Sequence, residues 1–285
     1  MILSMTGYGK TEIQLPTKKV TIEVKSLNSK NIDMNVRMPS YYKEKELAIR
    51  KKIANRLVRG KVDFSIYVEI IGENTSSQIN QDTIKSYMSQ LKEISNVSDT
   101  ESLQMAIRLP EVIQSKRESL NEGEWKLIDN AIDETLDKII LYRTDEGEVL
   151  KQDFVKRINF IENYLEEVIK SDPQRIENIK AKLQKAITEL EVKVDANRFE
   201  QELIYYLEKL DITEEKVRLK NHLSYFSKEL NSDTSNGKKL GFITQEIGRE
   251  INTIGSKANF AEMQQVVVQM KDELEKIKEQ NLNVL

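Results

Sequence analysis

The chain has 285 residues, 39% of them hydrophobic and 32% charged, with a net charge of −3 at neutral pH. It contains no cysteine, which excludes disulfides, thiolate metal sites and cysteine nucleophiles within the chain. The near balance of charge gives no global attraction to polyanions, so nucleic-acid binding must come from local patches or from several chains together. The length predicts about two domains, and ten glycines with four prolines favour long helices. No basic segment leads into an apolar run at the N-terminus, and no stretch reaches the roughly 18 apolar residues of a membrane span. A cytoplasmic protein without a membrane partner is expected.

Val20, Ile22 and Val24 alternate with polar residues in a strand pattern, and Ile32, Met34, Val36 and Met38 repeat it up to Pro39. The short link Ser26-Leu27-Asn28-Ser29-Lys30 predicts that these two strands form a hairpin. A helix is expected from Tyr42 to Val58, with Leu47, Arg50, Ile53, Ala54 and Leu57 on one side and Gly60 as its C-cap. Val62, Phe64, Ile66, Val68 and Ile70 read as another strand, followed by an exposed loop from Gly72 to Gln78. Together these predict an α+β fold class, with an N-terminal mixed domain built on an antiparallel sheet over residues 1–122.

From about Ile79 the helical period takes over, first in a segment to Ile94. After an irregular region around Pro110 and a boundary at Asn121-Glu122-Gly123, it governs nearly everything to the C-terminus. Helices are expected over Glu124–Leu141, Glu146–Lys170 and Pro173–Val192. The Ser171-Asp172-Pro173 break is read as an N-cap with a first-turn proline, where two helices fold back on each other. The division is a helical arm over 123–210 and a C-terminal helical domain over 211–285. In the last helix, Met263, Val267, Met270, Leu274 and Ile277 recur at heptad-like spacing. That seam suits a neighbouring helix of the same chain, or of another.

Candidate chemistry gathers in two helices of the C-terminal domain. Between Gly237 and Lys257, Leu240, Ile243, Ile247, Ile251 and Ile254 form an apolar stripe. Glu246 and Glu250 are four apart on the polar side with Arg249 beside them, so the two carboxylates need an offset, from the arginine or from a divalent cation. The only histidine, His222, shares a polar face with Glu215, Arg218 and Glu229, above a stripe of Leu219, Leu223, Phe226 and Leu230. It can act as a general base, a metal ligand or a phosphate-binding cation. A two-histidine ribonuclease mechanism is disfavoured by a single imidazole. Paired carboxylates suit metal-assisted hydrolysis, with Glu246 and Glu250 as the ligand pair and Asp211, Glu214 or Glu215 as contributors. The bland alternative is a solvated charged face. A second patch, Arg50, Lys51, Lys52, Arg56, Arg59 and Lys61, contains no acidic residue and can bind a phosphate backbone, or simply aid solubility.

The string LGFITQEIGREINTIGSKAN, preceded by DITEEKVRLKNHL and followed by MKDELEKIKEQ, resembles the signature of the YicC/YloC endoribonuclease family. SMTGYGK, EVKSLNSKNIDMNVRMP and RGKV resemble its N-terminal region in the same order, with a looser match at Arg143 and Glu146-Gly147. The resemblance implies a bacterial endoribonuclease that cuts RNA with Mn2+ or Mg2+ and assembles as a homo-oligomer, a hexamer. It implies catalytic roles for His222, Glu246 and Glu250, with metal contacts from Glu246, Glu250, Asp211 and Glu215. RNA contacts would come from Arg218, Arg249, Asn252 and Lys257, with Arg50, Lys52, Arg56, Arg59 and Lys61 on the backbone. The chain departs from the family pattern at Gly241, where the family reads aspartate, and at Gly248, where it reads asparagine. Each glycine weakens a helix by about 1 kcal/mol relative to alanine, and the first removes a possible cation ligand. The rival functions are a non-catalytic RNA-binding adaptor that recruits or regulates another ribonuclease, and a helical scaffold.

Overall fold

A computed structural model describes residues 1–71, 77–115, 121–189 and 196–285. The expected loop at Gly72–Gln78 lies outside the described residues as far as residue 76, and so does the expected helix end at Val192. The chain divides into two compact units. One comprises Tyr8–Lys25 and Ile32–Ile139, the other Met1–Gly7, Ser26–Asn31 and Ile140–Leu285.

In the first unit β1 (Gly7–Gln14), β2 (Lys18–Leu27), β3 (Ile32–Arg37) and β4 (Gly60–Ile70) form one sheet in the order β1-β2-β4-β3. The alternation works as predicted: Val20, Ile22 and Val24 of β2 and Val62, Phe64 and Ile66 of β4 are all buried. The pairing does not follow the sequence expectation. β4 lies between β2 and β3, and β3 runs parallel to β4, with Ile32 opposite Gly60 and Arg37 opposite Ser65. The sheet is therefore mixed rather than antiparallel, and β2 and β3 form no hairpin. The reason lies in the connection: β3, helix α1 (Glu46–Leu57) and β4 make a strand–helix–strand crossover, the unit that joins parallel neighbours.

A 3-10 helix, Ser40–Lys45, leads into α1, which buries Ile49, Ile53 and Leu57 and leaves Leu47 in solvent. Its end is set at Val58 and not at Gly60. Val58 has a φ of 62°, and the Arg59 N–H reaches back to the Leu57 carbonyl at 2.6 Å, a γ-turn that strains a β-branched residue. A small satellite follows, built from β5 (Ser77–Ile79), α2 (Gln81–Ile94), α3 (Asp99–Ala106) and β6 (Ile113–Ser115), with Ile84, Ala106 and Val112 at its centre.

Helix α4 runs from Glu122 to Glu189. The three helices expected there are one, and the fold-back at Ser171-Asp172-Pro173 does not occur. Pro173 sits inside α4 on its exposed side, where the carbonyl freed by its missing N–H can turn to water. Asp172, read as an N-cap, instead pairs with Arg175 at 2.7 Å and Lys216 at 2.6 Å, so side-chain links span the proline.

The second unit is helical. Phe154, Ile158, Ile161, Leu165 and Val168 of α4 share a core with α6 (Thr213–Leu230), α7 (Gly237–Lys257) and α8 (Ala261–Asn281). The heptad residues Met263, Val267, Met270, Leu274 and Ile277 of α8 are buried in that core, so their seam packs within the chain. Helix α5 (Ala196–Lys209) precedes α6. Arg143, buried in α4, donates to the Met5 carbonyl at 3.0 Å and to Ser26 Oγ, and Thr6 donates to Glu146 at 2.6 Å. Burial pushes the Arg143 guanidinium down to about 10. A Cβ at Gly147 would run into the Ile2 carbonyl, 2.7 Å from its carbon. Arg143, Glu146 and Gly147 thus brace the N-terminal segment, which also bridges to Val284 through Ser4.

Candidate active site at the α6–α7 seam

Asn236 caps α7, its Oδ1 accepting the Lys239 N–H at 3.0 Å, which satisfies one of the helix's free donors. The expected apolar stripes of both helices are buried as read: Leu219, Leu223, Phe226 and Leu230 on α6, and Leu240, Ile243, Ile247, Ile251 and Ile254 on α7. Two ion pairs fix the helices in antiparallel register. Lys257 joins Glu215 at 2.7 Å at one end, and Lys239 joins Glu229 at 2.6 Å at the other. The hydrogen bond to Glu229, seconded by one with Tyr225, holds the Lys239 ammonium above its ordinary range.

From the first pair, seven residues back along α7 reach Glu250 and seven forward along α6 reach His222. From the second pair, eleven residues in each direction reach Glu250 and Arg218. Glu250 therefore lies at the level of Arg218 and His222, midway along the seam. It is only 4% exposed, yet it makes no hydrogen bond or ion pair among the described residues. Half-buried His222 makes none either. Elsewhere along the seam charges are matched: Glu215 by Lys257 and Glu229 by Lys239. An unmatched buried carboxylate costs stability, and the register of the two ion pairs puts this one at the level of the only imidazole.

The other candidate residues have specific partners. Glu246 is exposed and lies 4.0 Å from Arg249, so the arginine is the offset among the described residues. Arg218 pairs with Glu214 one turn away, and Asn252 is exposed. Lys257 also donates to the Asp211 carbonyl at 2.9 Å, which turns it inward and away from a phosphate. The Asp211 carboxylate accepts from the Thr213 hydroxyl at 2.8 Å. Glu215 is buried, with its Oε2 unpaired. Among the described residues, no group of three or more His, Asp or Glu side chains could hold a metal ion. Asp211, Glu215, Glu246 and Glu250 form no such group among the described residues.

The basic patch is largely matched by acids. Arg50 pairs with Glu46, Lys52 with Asp129 and Asp133, and Arg56 with Asp137. Burial opposes the charge on Lys52, but the hydrogen bonds to Asp129 and Asp133 outweigh it and hold the ammonium above its ordinary range. Burial pushes the Arg59 guanidinium down. Lys51 and Lys61 make no ion pair among the described residues and remain available to a phosphate.

Gly241 and Gly248 have a packing explanation. With Gly255 they recur every seven residues along the side of α7 that meets α8, where a Cβ would come 3.1 Å from Asn281, 3.2 Å from Leu274 and 3.0 Å from Val267. They allow close approach of α8 and do not face the α6 seam. The Lys239–Glu229 closure went unread in the sequence, although Glu229 shares the polar face of His222. Its signal was the seven-residue spacing that puts Glu229 on the same face of α6 as Glu215 and His222.

Comparison with known proteins gives one consistent answer. Residues 2–152 match the endoribonuclease YicC-like N-terminal region, and residues 168–285 the endoribonuclease YicC-like C-terminal region. A protein of Clostridioides difficile (strain 630) named probable endoribonuclease YicC is 33% identical over 292 residues, covering all of both chains. One of the same name from Haemophilus influenzae (strain ATCC 51907 / DSM 11121 / KW20 / Rd) is 26% identical over 287 residues, again covering all of both.

Proposed function

Because the chain belongs to the YicC-like endoribonuclease family, we propose that it cleaves internal phosphodiester bonds of RNA, and that the α6–α7 seam is where it does so. The observation that carries the location is that buried Glu250 and half-buried His222 stand at one level, neither with a partner among the described residues, while the seam's ends are closed by ion pairs. His222 takes the proton of the attacking oxygen or returns one to the leaving oxygen, the work an imidazole performs near neutral pH. Glu250, at the same level of the seam, offsets the positive charge the ring gains. Exposed Arg218 and Arg249 exchange Glu214 and Glu246 for the RNA phosphate, which guanidinium groups grip in a fork.

The finer part of the proposal is dependence on Mn2+ or Mg2+. The lack of a three-ligand cluster favours an ion that arrives on RNA phosphate oxygens and meets exposed Glu246, as Mg2+ commonly does with one or two carboxylates. No helix among the described residues is long and apolar enough to cross a membrane, and we place the activity in the cytoplasm. A homo-oligomer, a hexamer, would gather the free lysines of several chains around RNA and compensate for the net charge of −3.

The test is end-labelled RNA incubated with the purified protein in Mn2+, in Mg2+ and in chelator. Internal cuts support the enzyme, and their loss in chelator supports the metal. Salt-sensitive binding without cutting would favour the adaptor reading, and no binding at low salt would remove both.

A further inference from the structure

One turn inward from the Lys239–Glu229 bridge, each helix of the seam presents an aromatic ring to solvent. Tyr225 on α6 is 43% exposed and Phe242 on α7 is 57% exposed. Each lies beneath a lysine: Lys239 Nζ is 5.3 Å from the Tyr225 ring centre and Lys238 Nζ is 6.0 Å from that of Phe242. Phe242 belongs to an exposed stripe of α7 made of Lys238, Phe242, Gln245, Arg249, Asn252 and Ser256, which contains no acid. Tyr225 is three residues from His222 and Phe242 is four from Glu246. Tyr225 therefore stands about one helical turn, about 5 Å along α6, from His222, and Phe242 about two turns, about 12 Å along α7, from Glu250, the span of one to two nucleotide steps.

We propose that Tyr225 and Phe242 are a stacking platform for one or two unpaired bases next to the cut phosphate, so that the seam selects single-stranded over duplex RNA. This rests on the reading of the seam as the cleavage site. The rings stand among lysines, an amide and the carboxylates of Glu229 and Glu246 rather than joined in an apolar patch. That composition suits a base, whose face is aromatic and whose backbone is anionic, better than it suits the apolar centre of a protein interface. Lys238 and Lys239, on flexible stems, yield the ring faces to a base and meet its phosphate. A paired base in an A-form duplex keeps its faces covered by its neighbours and cannot use the platform.

The experiment measures binding of a short, labelled, 2′-O-methylated single-stranded RNA in chelator, so that it does not depend on cleavage. Wild type is compared with Phe242→Ala, Tyr225→Ala, Phe242→Tyr and Tyr225→Phe, with particle size and melting temperature recorded for each. The alanine variants are expected to lose about ten-fold in affinity. Their salt slope should stay the same, because stacking releases no counterions, and the ring-conserving variants should bind like wild type. Affinity within about two-fold of wild type in both alanine variants would overturn the platform. So would a change in particle size that accounts for the loss, a loss shared by the ring-conserving variants, or a wild-type protein that does not bind the probe. Cleavage of unmodified RNA by wild type, run alongside, separates failure of the platform from failure of the ribonuclease reading.

Discussion

Glu250→Gln should make the protein more stable and less active at once. The side chain is 4% exposed and has no partner among the described residues. A carboxylate held this way gives up part of its hydration, and no protein group among the described residues replaces it. The full burial of an unpaired ion would cost several kcal/mol. Glu250 retains a little solvent contact, so we expect the neutral and nearly isosteric amide to return about 1–2 kcal/mol. For a unit of this size that corresponds to about 2–8 °C in melting temperature. Cleavage should fall by about 100-fold or more, because the amide cannot balance charge on His222. The assay pairs thermal melts with timed cleavage of end-labelled RNA, and exposed Glu262→Gln serves as the control that should move neither. A melting temperature lowered by Glu250→Gln would mean that the carboxylate is satisfied in the fold, and the argument for a poised site would fall. Retained cleavage would refute it equally.

Three substitutions test the basic patch and the N-terminal brace. Lys52→Met should destabilise the protein by about 1–2 kcal/mol through loss of Asp129 and Asp133, whereas Lys61→Ala should leave stability unchanged. In RNA titrations at several salt concentrations, Lys61→Ala should lower the salt slope by about one. Gly147→Ala should cost more than about 2 kcal/mol in urea denaturation, because its Cβ collides with the Ile2 backbone and must loosen the bonds from Arg143 to Met5 and from Thr6 to Glu146.

Periodicity was the readable part of this chain. The strands at Val20–Val24 and Val62–Ile66 and the stripes of α6, α7 and α8 are where alternation and helical spacing place them, because burial of one face decides them locally. Strand partners were not readable: the stretch Ser26–Lys30 looks like a hairpin turn, but Ser26, still in β2, and Asn28 just beyond it are held by the Met5 and Leu282 carbonyls. Pro173 misled for a similar reason, since local propensity stops a helix there and a buried Asp172–Arg175–Lys216 network carries it on. For the candidate site, spacing pointed to Glu246, Glu250, Arg249, His222 and Arg218. It could not show that Lys257 turns to Glu215, nor that Gly241 and Gly248 face α8. Those facts depend on which helix lies on which side.

The central claim is that the α6–α7 seam cuts RNA through its single histidine. Its most direct test is the single-turnover cleavage rate of His222→Ala against wild type on the same end-labelled single-stranded RNA, with binding measured in parallel. The account predicts a fall of about 100-fold or more in the rate with affinity changed by less than about three-fold, since phosphate contacts come from the arginines and lysines. Cutting by His222→Ala at the wild-type rate would contradict it.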